Sequence, residues 1–218
     1  AYHNRFTRAW TKFDGFLSGT APQNILQRTN LYQRQFNILR GLVDSRSVDS
    51  EIVDVTNNDR DFASTGLQLS SQTRHALFGI DQSLAVNVRF HRDEVERNHK
   101  QRGYLMTDGR LLFDGITRTA KTNNQAETTA VSVSVSNEFQ TGALTVSPGV
   151  RLEQITGEVE NFLTEALTAN DQTEVMPGIS ALYEATDSIN VFAGVYKGFS
   201  PAGPGADGRE PEKGTNYE

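Results

Sequence analysis

Residues 123–160 read NNQAETTAVSVSVSNEFQTGALTVSPGVRLEQITGEVE, and the reading of Ala130 to Ser136 within them decides the fold. Val131, Val133 and Val135 alternate there with Ser132, Ser134 and Ser136. Period 2 sends the valines to one face of a strand and the serines to the other. The FQTG stretch, Phe139 to Gly142, supplies a turn, after which Leu144, Val146, Pro148, Val150 and Leu152 alternate with Thr145, Ser147, Gly149, Arg151 and Glu153. Two long strands therefore pair as a hairpin. Its polar face is not uniformly charged, and no helical pattern follows that would cover the valines. The expectation is an apolar face against lipid and a Ser/Arg/Glu face lining a wet lumen.

Outward from this hairpin the same alternation recurs. Ala1 to Trp10 reads as a strand carrying Tyr2, Phe6 and Trp10. Asp61 to Arg74 sets Phe62, Ser64, Gly66, Gln68, Ser70 and Gln72 against Ala63, Thr65, Leu67 and Leu69. Gln82 to Val95 sets Leu84, Val86, Val88 and Phe90 against Ala85, Asn87, Arg89 and His91. Two further strands are expected at Glu174 to Ala185 and Ile189 to Gly198, and another starts at Glu212. Between the strands, long links alternate with short ones. Thr11 to Asp59 is a long loop with helical spacing over Asn24 to Arg40; Glu96 to Thr122, Asn161 to Asp171 and Phe199 to Pro211 are expected as further loops. The short links fall near His75 to Gly79, at Phe139 to Gly142 and at Thr186 to Ser188. Long links at one end and short links at the other describe an all-β, antiparallel up-and-down transmembrane barrel. About eight strands are expected, the last incomplete.

Composition bounds the alternatives. The 218 residues have a mean hydropathy of -0.50, and no run of 18 apolar residues is found, which argues against membrane helices but not against strands that need only every second residue apolar. Zero cysteines exclude a disulfide scaffold and thiolate metal sites. A net charge of -6 and a pI near 5.3 argue against a nucleic-acid partner. The chain does not begin with Met and its closing TNYE reads as the start of a strand, so a piece of a longer protein is expected.

Three local patterns point to other chemistry. HRDEVERN, His91 to Asn98, has the spacing of a kinase catalytic loop, but the companion lysine strand and DFG are missing and the segment continues a strand. GPGADG, Gly203 to Gly208, fits a dinucleotide-loop pattern, yet Pro211 and acidic residues follow where a helix must open. His91, Asp93 and His99 do not make a metal-ligand spacing.

Six blocks in order carry a family resemblance: AYHNRFTRAW, NDRDFASTGLQ, VNVRFHRDEVERNHKQRGYLMTDGRL, LTVSPGVRLEQI, VMPGISALYEATDSINVFAGVYKGFSP and EPEKGTNYE. Together they resemble the TonB-dependent outer-membrane receptors, and within these the ferric dicitrate receptor-like group. The resemblance implies a barrel of about 22 strands plugged by an N-terminal domain. Residues 1–218 would form the middle of that barrel, with the plug and the closing strands outside the chain. It implies an outer-membrane transporter rather than an enzyme, with a ferric chelate as cargo, no resident cofactor, and TonB as a partner reached through the plug. Matched block to block, Arg8, Arg60 and Arg118 fall on or near arginines that grip the anionic chelate. Arg suits this task because its planar fork of donors matches carboxylates and keeps its charge. The basic run RNHKQR, Arg97 to Arg102, would help to draw anions in. The plainer reading of Arg8 and Arg60 is a pair of rim arginines meeting water or acids. A structural or adhesive barrel and a soluble β-sandwich binding module stay open as alternatives.

Overall fold

A computed structural model describes residues 1–201, 203 and 212–217. The strands are β1 (Tyr2–Phe16), β2 (Val53–Leu77), β3 (Ile80–Thr107), β4 (Arg110–Phe113), β5 (Thr122–Thr141), β6 (Leu144–Asn161), β7 (Ala166–Thr186), β8 (Ile189–Ser200) and β9 (Glu212–Tyr217). They form one 9-stranded antiparallel sheet in the order β1-β2-β3-β5-β6-β7-β8-β9, with β4 paired to β3 outside this path. The sheet is a meander, open at both edges within this chain. Most of the GPGADG segment and its surrounding loop lie outside the described residues.

The hairpin expected over residues 130–153 forms, with Val133 paired to Leu152 and Ser134 to Arg151. Uninterrupted register carries the alternation across the sheet, so that Leu69, Val88, Val133, Leu152 and Val175 make one cross-strand row. This valine face is exposed: Val131 is 44% and Leu152 47% accessible. The opposite, serine face is the better covered one, with Ser132 at 7% and Glu174 at 5%. Apolar residues outside and polar residues inside is the reverse of a water-soluble sandwich.

Turn chemistry sets the short ends. Phe78 and Gly79 both have positive φ, 53° and 78°, as a two-residue type I′ turn between β2 and β3 requires. The β5–β6 and β7–β8 links at residues 142–143 and 187–188 lie at the same end of the meander.

At the other end the strands run further than their hydrophobic alternation. Residues 96–122, expected as a loop, are largely the continuation of β3 and the short β4; only residues 114–121 form an irregular link. The expected loop at 161–171 shrinks to residues 162–165, because β6 and β7 extend to meet it. The physical reason is a switch of pattern. Past Phe90, charged residues such as Arg92, Glu94 and Glu127 take the valine face, while Val95 and Ala126 turn to the serine face. Charge on an otherwise apolar face reads locally as loop, yet the backbone ladder continues. At about 3.3 Å per residue, the 28 residues of β3 are far longer than an apolar band about 25 Å tall.

The long link 17–52 contains two short helices where one was expected, α1 (Pro22–Gln27) and α2 (Gln33–Leu39). Pro22 opens α1, where a missing backbone N–H costs nothing. Phe16, Ile25, Ile38, Val53 and Met106 pack into a buried core under this loop, joined by Phe13, Tyr32, Phe36 and Leu39. Glu51, 1% exposed, receives Arg34 Nε at 2.6 Å and Arg34 Nη2 at 2.8 Å, together with Arg46 Nε at 2.7 Å. Those bonds, Arg34's first, hold the Glu51 carboxyl far below the usual carboxylate range against the opposing effect of burial. Loop and strand tip are also stitched by the Ser45 and Met106 backbone pair at 2.8 Å.

Candidate functional site: an arginine row on the serine face

Arg8 pairs with Arg60, Arg60 with Arg97 and Arg97 with Asn124. Alternation puts all four on the serine face, beyond the last outward valines. Two residues further along each strand, Trp10, Asn58 and His99 form the next row. The Trp10 ring is shared by two cations, with Arg8 Cζ 4.6 Å and Arg60 Cζ 4.7 Å from its centroid. This cation–π contact holds both guanidinium groups without using up their hydrogen-bond donors.

The remaining contacts are weak or neutral. Arg60 Nε donates to His99 Nε2 at 3.4 Å, and Arg97 Nη1 to Asn124 Oδ1 at 3.3 Å. Among the described residues, none of these three arginines has a carboxylate within ion-pair distance, whereas Arg34, Arg46, Arg92, Arg118 and Arg151 each have one. Burial and the Arg60 charge depress the pKa of Arg97. His99 is depressed by burial first and then by Arg60 and Arg97, so it stays neutral at pH 7 and accepts from Arg60. Like charges placed directly opposite one another cost stability. An anion bridging the row would recover that cost.

Of the residues expected from sequence, Arg8 and Arg60 are thus brought together, and Arg118 is not. Arg118 Nη2 lies 2.5 Å from Asp114 Oδ2, and Nη1 donates to Asp114 Oδ1 at 3.1 Å and to the Ile116 carbonyl at 3.2 Å. It sits over Gly103, where an added Cβ would come within 2.8 Å of its guanidinium nitrogens. The hydrogen bond to Asp114 raises its pKa, and that carboxyl is lowered in return. Its donors go to residues of its own link, which is tied to β3 by the Asp114 backbone N–H donating to the Gly103 carbonyl at 3.0 Å. Nearby, Lys121 Nζ bridges Asp14 Oδ2 and Asp54 Oδ2, each at 2.8 Å.

Trp10, Arg97 and His99 were not singled out as a group by the sequence. RNHKQR is not a loop: it lies within β3, so that Arg97, His99 and Gln101 share the serine face while Asn98, Lys100 and Arg102 take the other. Such a uniformly polar run shows no hydrophobic period from which strand or facing could be read. His91 Nε2 does meet Asp93 Oδ2 at 2.5 Å, but among the described residues no group of three or more His, Cys, Asp or Glu could hold a metal ion.

The family model for the β-barrel of TonB-dependent receptor-like proteins matches residues 2–218. The chain belongs to this family. Among solved structures it is similar to the ferric citrate transporter FecA in its unliganded form, with a TM-score of 0.68 and 19% identity over 75% of this chain and 25% of that one. It is also similar to BauA, the ferric preacinetobactin receptor from Acinetobacter baumannii, with a TM-score of 0.51 and 15% identity over 78% of this chain and 28% of that one. This TonB-dependent receptor barrel segment therefore spans about a quarter of the length of those structures. At these identities the likeness shows the fold. No curated protein matches the sequence.

Proposed function

We propose that the receptor containing this barrel segment imports an anionic ferric chelate across the bacterial outer membrane, driven by TonB through a plug outside this chain. The valine face meets lipid and the serine face lines the lumen, as the alternation in membrane barrels demands. Arg8, Arg60 and Arg97 bind the carboxylates of the chelate, while Arg118 is held by Asp114 within its own link. The observation that carries this reading is a row of arginines on adjacent strands with no acid partner among the described residues. The site binds and releases; no bond is made or broken there, and the iron is cargo. Membership of the TonB-dependent receptor family and the fold shared with FecA and BauA support the same reading.

The test is uptake of ferric citrate by cells bearing the intact receptor. Replacing Arg8 and Arg60 together by Ala lowers uptake by about tenfold or more, the worth of a single charge-assisted hydrogen bond. Unchanged uptake at normal surface levels rejects the role.

A further inference from the structure

Directly beneath the arginine row, on the same face, Phe6 pairs with Phe62, Phe62 with Val95 and Val95 with Ala126. The two rings stack, with centroids 4.6 Å apart and an interplanar angle of 10°. Phe6 is 57% exposed. Further along the same face the lining turns polar again, with Asp93 on His91 and then Arg89 and Ser132. A fixed, stacked aromatic pair set between the arginine row and the polar row of Asn4, Ser64, Asp93 and Thr128 is a surface that gains free energy when something apolar covers it.

Resting on the proposed function, we infer that the cargo is an amphiphilic carboxylate chelate: its carboxylates meet Arg8, Arg60 and Arg97, and an aliphatic or aromatic part lies on Phe6 and Phe62. The register supports this pairing of chemistries, since Arg8 and Arg60 each stand two residues from a phenylalanine on their own strand, Phe6 and Phe62. A wholly polar chelate such as ferric citrate satisfies the arginines and leaves the phenylalanine pair wet. An apolar extension covers the pair without moving the charged head. Charge selects the head, and the aromatic shelf ranks chelates that share that head.

Two ferric complexes with matched heads test this on the intact receptor purified in detergent: citrate N-methylamide and citrate N-octylamide. The octyl complex binds at least about tenfold more tightly, equivalent to burying some two methylenes. Phe6→Ser with Phe62→Ser erases that difference, the octyl complex losing more affinity than the methyl complex, while Phe6→Leu with Phe62→Leu retains most of it. Equal affinities in the parent receptor overturn the inference. So does an equal loss for both complexes in the serine variant, the result expected if another segment of the receptor covers the pair. Arg8→Ala with Arg60→Ala weakens both complexes equally; no change there sinks the proposed function instead, whatever the phenylalanines do.

Discussion

Two regions of this chain bury opposite things. In the lower sheet, Val131, Val133 and Val135 stand exposed while Ser132 and Glu174 are covered. In the loop module 17–52, Ile25 and Ile38 are fully enclosed and polar residues such as Arg28 and Asn30 face outward. The module obeys the rule for a protein folded in water, and the lower sheet obeys its inverse. One chain carrying both patterns is built for two solvents. The boundary is where charges replace valines on the outer face, at Arg92, Glu94 and Glu127, with Arg92 Nη2 2.5 Å from Glu127 Oε2.

The contrast can be broken from either side. The largest effect is expected in the module: Ile38→Ala empties a closed site and costs about 2–5 kcal/mol of local stability, measured as faster hydrogen exchange across residues 22–52 with the sheet unaffected. Next comes Val133→Arg, at about 2–4 kcal/mol if the site lies near the membrane midplane, measured by refolding the receptor into lipid vesicles. The same change in a water-facing strand would be nearly neutral, so the size of the loss reports the solvent. Glu51→Gln removes the charge that gathers Arg34 and Arg46, at about 1–3 kcal/mol. The same exchange experiment reads it.

Acid gives the smallest effect and its sign is fixed. Glu51 is held low by Arg34 and Arg46; Asp14 is raised by burial but lowered more by Lys12 and Lys121. For carboxyls with depressed folded-state pKa values, the stabilisation is complete above the unfolded values, about 4.3 and 3.9, and is lost as pH falls through the folded ones. Only the beginning of that loss is reachable at pH 3 to 4. Module exchange should quicken there while the row Leu69, Val88, Val133, Leu152 and Val175, which carries no ionisable side chain, stays unchanged.

The sequence made the lower sheet legible because its two faces differ in polarity residue by residue. Val131 through Ser136 could be assigned without coordinates. The upper strands were hidden because their outer residues are charged and their inner ones mixed, so that residues 96–107 have the composition of a loop and the backbone of a strand. The helical spacing from Asn24 to Arg40 marked the right region but could not show the break between α1 and α2, since residues 28–32 carry no strong breaker. At the candidate site, the family blocks point to Arg8 and Arg60, which the register sets side by side. Arg97 and Trp10 needed register: nothing in the local sequence says that residues so far apart along the chain stand side by side, and cation–π contacts leave no spacing signature. Arg118 has the residue type the family blocks suggest, and its ion pair with Asp114 shows only in the structure.

Which solvent meets the valine face decides whether this sheet is part of a membrane wall. Single cysteines placed at Val131, Ser132, Val133 and Ser134 of the intact receptor in lipid vesicles, each carrying a fluorophore, report this through quenching. A quencher borne on the acyl chains is expected to act at 131 and 133 and a water-soluble one at 132 and 134. Aqueous quenching at all four positions, or lipid quenching at the serines, would contradict this expectation.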